Sequence, residues 1–84
     1  MVSRSALTEL AKLEDTIKDE AVEAINELRE DPFPPDAIPL RGSVNRYRIK
    51  FYRNRYRIVY QVSVKQHRVI VTRVRPRSSA YLGY

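Results

Sequence analysis

The sequence predicts an α+β fold: a helical hairpin packed on one face of an antiparallel sheet of three to four strands. Three observations lead there. Apolar residues recur at helical spacing as far as Leu28, then alternate strictly with polar ones from Arg46 onward. Between the two regimes stand Pro32, Pro34, Pro35 and Pro39, which no helix continues through. With 84 residues, the chain has the size of a single domain that buries roughly 60% of its unfolded surface.

The helical hairpin is expected over residues 5–31. Ala6, Leu10, Leu13 and Ile17, then Ala21, Ala24, Ile25 and Leu28, form the apolar stripe. Glu9, Lys12, Asp19, Glu20, Glu23 and Glu27 fall off it. Thr16 and Asp19 have the spacing of a capping box, so a second helix is expected to begin near residues 14–16 and to run to Glu30. One continuous bent helix is the alternative. Residues 32–42 read as a Pro-rich, semi-extended linker.

The sheet is expected over residues 43–75. Tyr47, Ile49 and Phe51 alternate with Arg46, Arg48 and Lys50, which gives a half-buried strand with one cationic face. Tyr52-Arg53-Asn54-Arg55 reads as a hairpin turn, with Asn54 able to accept positive φ. A second strand covers Tyr56 to Val62, with Arg57 opposite in parity to Tyr56, Ile58 and Tyr60. Residues 63–66 turn the chain, and a third strand runs from about His67 to Arg75. Residues 76–84 form a basic tail that includes Arg77, Tyr81 and Tyr84. Helices this short and an isolated hairpin are each marginal alone. Packing the helical stripe on one sheet face stabilises both and leaves the cationic face open to solvent.

Charge is divided along the chain. All ten acidic residues lie at or before Asp36, among four bases, so that segment carries −6. The remaining 48 residues carry twelve Arg or Lys and no acid, net +12. A folded, one-signed surface suits a polyanion, with nucleic acid first. Cysteine is absent and His67 is the sole histidine, so disulfides, thiolate chemistry and a metal site are not expected. No cofactor is implied. No apolar run approaches the ~18 residues of a membrane span, and the first residues lack a secretory apolar core. The expectation is a soluble, cytoplasmic protein without a membrane partner.

What could such a surface do to RNA? Guanidinium and ammonium groups on a sheet face bind phosphates, and tyrosines add stacking surfaces. Tyr47, Tyr56 and Tyr60 share the apolar parity and are expected in the core; Tyr81 and Tyr84 are better placed for a ligand. Strand cleavage by a 2′-OH needs a proton acceptor, transition-state stabilisation and a donor for the leaving oxygen. The basic half has no carboxylate, and arginine stays protonated. Lysine can act as a base. Lys50, beside Arg48 on the same face, is the best candidate, with arginines stabilising the phosphate. His67 and Lys65 fall in a turn and read as solvent-facing, and Thr72 and Ser78 have no base within reach.

Leu40-Arg41-Gly42, Tyr47-Arg48-Ile49-Lys50 and Tyr56-Arg57-Ile58-Val59-Tyr60-Gln61-Val62 resemble the RelE toxins of bacterial type II toxin–antitoxin systems, within the RelE/ParE superfamily. The closing segment Arg73 to Tyr81 is similar to that family's Arg-rich end with its following tyrosine, and the helical half fits less specifically. The resemblance implies a compact microbial-RNase-type sheet, a metal-independent endoribonuclease (mRNA interferase) that cuts mRNA in the ribosomal decoding site, and neutralisation by a RelB-like antitoxin in a hetero-oligomeric complex. Carried over by position, Arg48 and Lys50 fall on a paired lysine site and Arg57 on the phosphate-stabilising arginine. Arg77 or Arg75 falls on the arginine that assists the leaving group, and Tyr81 on a stacking tyrosine. Arg41, Arg46, Arg55, Arg73 and Arg75 are the candidate RNA contacts.

Three departures stand out. Arg48 replaces the first lysine, which leaves the base role to Lys50. The family's first strand, ahead of helix one, is expected to be essentially absent. Only three residues follow Tyr81, too few for a substantial C-terminal helix. Two other readings share these residues: a ParE-like inhibitor of DNA gyrase, and a non-catalytic RNA- or ribosome-binding module. The antitoxin is expected to be acidic or amphipathic and to lie on the helical hairpin or over the basic sheet.

Overall fold

The computed structural model describes residues 1–79. Its elements run α1 (Arg4–Ala11), α2 (Asp15–Glu30), β1 (Ile38–Pro39), β2 (Arg46–Phe51), β3 (Tyr56–Ser63), β4 (Arg68–Pro76) and a short 3₁₀ turn (Arg77–Ser79). The four strands pair in the order β1-β2-β3-β4, all antiparallel.

Helix α1 starts where the Ser3 side chain accepts a hydrogen bond from the Ala6 N–H, at 3.2 Å. Helix α2 begins at Asp15, within the expected 14–16 window, but the capping box at Thr16 does not form: Glu14 is the N-cap and makes no side-chain cap bond. Its end is as expected. Asp31 leaves helical geometry just before Pro32, and its Oδ1 accepts from the Phe33 N–H at 3.1 Å.

The linker expectation for residues 32–42 needs correcting, because Ile38 and Pro39 pair with Arg48 and Tyr47 as an edge strand. Proline is tolerated at an edge, where its missing N–H faces away from the ladder. The N-terminal expectation changes too. Val2 bridges Val71 in parallel, the Ser3 N–H donates to the Val71 carbonyl at 2.8 Å, and the Val71 N–H donates to the Met1 carbonyl at 2.9 Å. A rudimentary strand therefore covers the outer edge of β4, where unpaired backbone would otherwise invite association.

Ala6, Leu10, Ile17, Ala21, Ile25 and Leu28 of the helices close on Ile49, Phe51, Ile58, Tyr60, Val62, Val71 and Val74 of the sheet. The apolar parity of the sequence is thus the helix-facing side of the sheet. Tyr60 is fully buried, and its hydroxyl donates to the Pro32 carbonyl at 2.8 Å. Tyr47 stacks on Tyr60 and meets Phe33 edge-on, with centroids 5.9 and 5.3 Å apart. This aromatic ladder fastens the segment after α2 to the sheet.

A candidate phosphate-binding face

Opposite the helices, side chains in register share the second sheet face. Lys50 pairs with Arg57, and Arg57 with Arg75, so three cations stand abreast on β2, β3 and β4. Neighbours in such a row are about 5 Å apart. Arg48, Val59 and Arg73 form the next row. A break in register between Val59 and Tyr60 ends the pattern and places Val71 opposite Tyr60. Like charges directly opposite one another are unfavourable unless an anion lies between them.

The face is not wholly open, contrary to the sequence expectation. Arg57 is 6% exposed and Val59 1%. As the middle strand, β3 is flanked on both sides by long side chains, whose stems cover apolar surface. The Arg57 Nη1 donates to the carbonyls of Asn54 and Tyr56, at 3.0 and 3.1 Å. Its Nε is buried and has no acceptor among the described residues. A donor left in that state costs free energy that an anionic oxygen would recover.

Arg57 also braces the turn behind it. Tyr52, Arg53 and Asn54 all have left-handed φ, at 52°, 54° and 66°, where only Asn54 was expected to. Each such residue outside glycine carries strain of about 1 kcal/mol or more. The Arg57 bond to the Asn54 carbonyl holds this turn closed.

The other candidates divide into two groups. Arg55 and Arg77 meet at the hairpin end, where the Arg77 N–H donates to the Arg55 carbonyl at 2.8 Å. Arg46 belongs to the same face but sits at the far end of β2, opposite Gln61. Arg41 lies in the loop between β1 and β2. Tyr81 falls outside the described residues. His67 occupies the β3–β4 turn at φ 51°, and Lys65 is exposed in the same turn.

Sequence reasoning missed Glu9. One oxygen of this α1 carboxylate accepts from the Val74 N–H at 2.9 Å, and the other accepts from the Arg75 Nε, with the Arg73 Nη1 3.8 Å away. An acid from the N-terminal segment thus reaches the cationic face. The two charge halves, separate in sequence, touch here. The only hint in the sequence is that Glu9 stands one position from Leu10, beside the apolar stripe.

Comparison with known proteins places the chain. A family model described as the ParE toxin of the type II toxin–antitoxin system parDE matches residues 1–81. The isolated Escherichia coli RelE toxin is 32% identical with a TM-score of 0.77, over 89% of this chain and 79% of that one. RelE in the intact E. coli RelBE toxin–antitoxin complex is also 32% identical at 0.77, covering 88% of this chain and 89% of that one. The RelB–RelE antitoxin–toxin complex of Methanococcus jannaschii shares the fold, at 22% identity, TM-score 0.78, and 100% and 98% coverage. Comparison with curated protein sequences gives no match.

Proposed function

The chain belongs to the RelE/ParE superfamily of type II toxins, and from that premise we propose that it is a ribosome-dependent endoribonuclease that cleaves mRNA in the decoding site. The observation that carries this reading is the Lys50–Arg57–Arg75 row, with a buried guanidinium donor at its centre and no acceptor for it among the described residues. An RNA phosphate supplies that acceptor.

In the proposed reaction Lys50 takes the proton of the 2′-hydroxyl as its oxygen attacks the adjoining phosphorus. The P–O2′ bond forms and the P–O5′ bond breaks, leaving a 2′,3′-cyclic phosphate and a 5′-oxygen that takes its proton from water, since arginine keeps its own. Arg57 stabilises the charge that builds on the phosphoryl oxygens. Arg75 assists the departing 5′-oxygen; its register with Arg57 supports it over Arg77, which lies beyond the strand. Arg48 and Arg73 hold the neighbouring phosphate, and Arg41, Arg46 and Arg55 extend the track of RNA contacts. Tyr81 is assigned the stacking role by resemblance alone. A RelB-like antitoxin, as in the complexes of its structural relatives, neutralises the activity.

A second reading has its own support, since the matching family model is that of ParE toxins. In that case the chain would inhibit DNA gyrase through protein contacts, and the cationic row would have no reaction to serve. Toeprinting of a stalled translation complex with antitoxin-free protein separates the two. New mRNA ends in the decoding site are expected. Intact mRNA together with inhibited gyrase supercoiling would transfer the assignment to the ParE branch. Intact mRNA with protein that still sediments with ribosomes would leave a binding module.

A further inference from the structure

The end of the sheet remote from the cationic row carries a different surface. A cleft of about 400 Å³ opens between the C-terminal end of α2, the N-terminal residues and the β3–β4 turn. Phe33, Val62, Val64 and Val69 form its apolar lining. It adjoins a second hollow of about 350 Å³ that shares Phe33, Val62 and Val64 and adds Val44. Phe33 is 47% exposed, Val64 69% and Val44 97%. Large apolar side chains gathered in this way mark a contact surface more often than scattered ones do.

The rim is cationic. Arg29 and Arg68 border the first hollow and Lys65 the second, and among the described residues no carboxylate lines either. The Met1 ammonium, which donates to the Val69 carbonyl at 2.9 Å, also stands at this rim. Burial, then the charges of Arg29 and Arg68, holds its pKa below the ordinary value of 8.0. Excess positive potential at an apolar cleft selects an occupant with apolar side chains flanked by carboxylates. Val62 lies five residues along β3 from Arg57, about 17 Å away at strand spacing. An occupant of the cleft therefore leaves the phosphate row uncovered by its own contact.

We propose that this cleft is an anchor for the antitoxin, which inserts an apolar segment with flanking acidic residues between Phe33, Val44 and Val64. The inference rests on the toxin reading above, and it moves the anchor off the outer face of the helical hairpin and off the basic sheet, to the C-terminal end of α2. A second copy of this chain could offer similar chemistry, since Val22 sits among Asp19, Glu23 and Glu27 on the outer face of α2. That contact would be head-to-tail and would not close into a dimer.

The test uses the full chain and, as probe, its purified cognate RelB-like antitoxin. Val44→Glu with Val64→Glu is compared with Val22→Glu; all three positions are exposed, so each variant should fold. Titration calorimetry is expected to show binding weakened at least tenfold by the paired cleft substitutions, and unchanged by Val22→Glu. Tight wild-type binding that the cleft pair leaves intact would overturn the anchor while keeping the toxin reading. Loss with Val22→Glu alone would put the antitoxin on the helical hairpin. No wild-type binding at all would overturn both. Self-association that the cleft pair abolishes, with antitoxin binding unaltered, would make the occupant a second copy. Lost ribosome sedimentation with antitoxin binding unaltered would make the cleft a ribosome contact; either result contradicts the proposal.

Discussion

Arg57 and Ile58 are adjacent on β3 and almost equally buried, at 6% and 0% exposed, yet they belong to opposite sides of the sheet. Ile58 faces the helices and contributes apolar burial to a small core. Arg57 faces a row of other cations and keeps an orphaned donor. Burial alone therefore does not report what a position is for. The side chain's neighbours decide it: one face of β3 is complete as it stands, and the other holds a buried guanidinium donor that no acceptor among the described residues meets.

Ile58→Ala should give the largest effect on the helix-facing side. Deleting a fully buried branched side chain costs about 2–5 kcal/mol, a large share of the stability of a domain this small. Urea denaturation measures it, and RNA cleavage per folded molecule should be unchanged. A stability loss below about 1 kcal/mol would mean that the core does not run through β3.

Arg57→Met keeps the stem and removes the guanidinium. Loss of the bonds to the Asn54 and Tyr56 carbonyls should cost about 2 kcal/mol, because the strained turn loses its brace. Cleavage should fall further than this destabilisation accounts for, by about a hundredfold at saturating folded protein. A rate unchanged once folding is allowed for would confine Arg57 to the structural role.

Tyr60→Phe tests a smaller effect on the core side. Removing the bond to the Pro32 carbonyl should cost about 1 kcal/mol near neutral pH. Burial first, then the nearby charges of Asp36, Tyr47 and Asp31, pushes the Tyr60 phenol up from 10.0 to about 12. The folded protein thus holds this proton more tightly than the unfolded chain does. That contribution is complete below pH 10 and fades as pH rises through about 12. Wild type should lose stability between pH 10 and 12 more steeply than Tyr60→Phe does. Parallel pH curves would contradict the assignment.

The smallest expected effect concerns salt. Arg48→Ala should lower the slope of log affinity against log salt by about 0.7 for a non-cleavable single-stranded RNA, the value of one phosphate contact. An unchanged slope would remove Arg48 from the phosphate track.

Much of this comparison was legible in the sequence, for a local reason. Alternation of Tyr47, Ile49 and Phe51 with Arg46, Arg48 and Lys50 specifies which side chains share a face, because strand geometry has period two. The helix end before Pro32 and the turn at residues 52–55 are equally local. What escaped reading depends on distance along the chain. Ile38 and Pro39 become a strand only because β2 offers its edge. Met1 to Ser3 pair with residues about seventy positions later. Glu9 reaches Val74 and Arg75 across a similar separation. The apolar cleft is assembled from the chain start, the α2 end and the β3–β4 turn, none of which shows a periodic signal.

Single-turnover cleavage of ribosome-bound mRNA by Lys50→Ala, with its melting temperature measured beside the wild type, tests the central claim most directly. Lys50 is exposed, so its truncation should leave the melting temperature nearly unchanged. The account predicts cleavage slowed at least a hundredfold, the scale of a lost general base. Cleavage at the wild-type rate by a folded Lys50→Ala protein would contradict it.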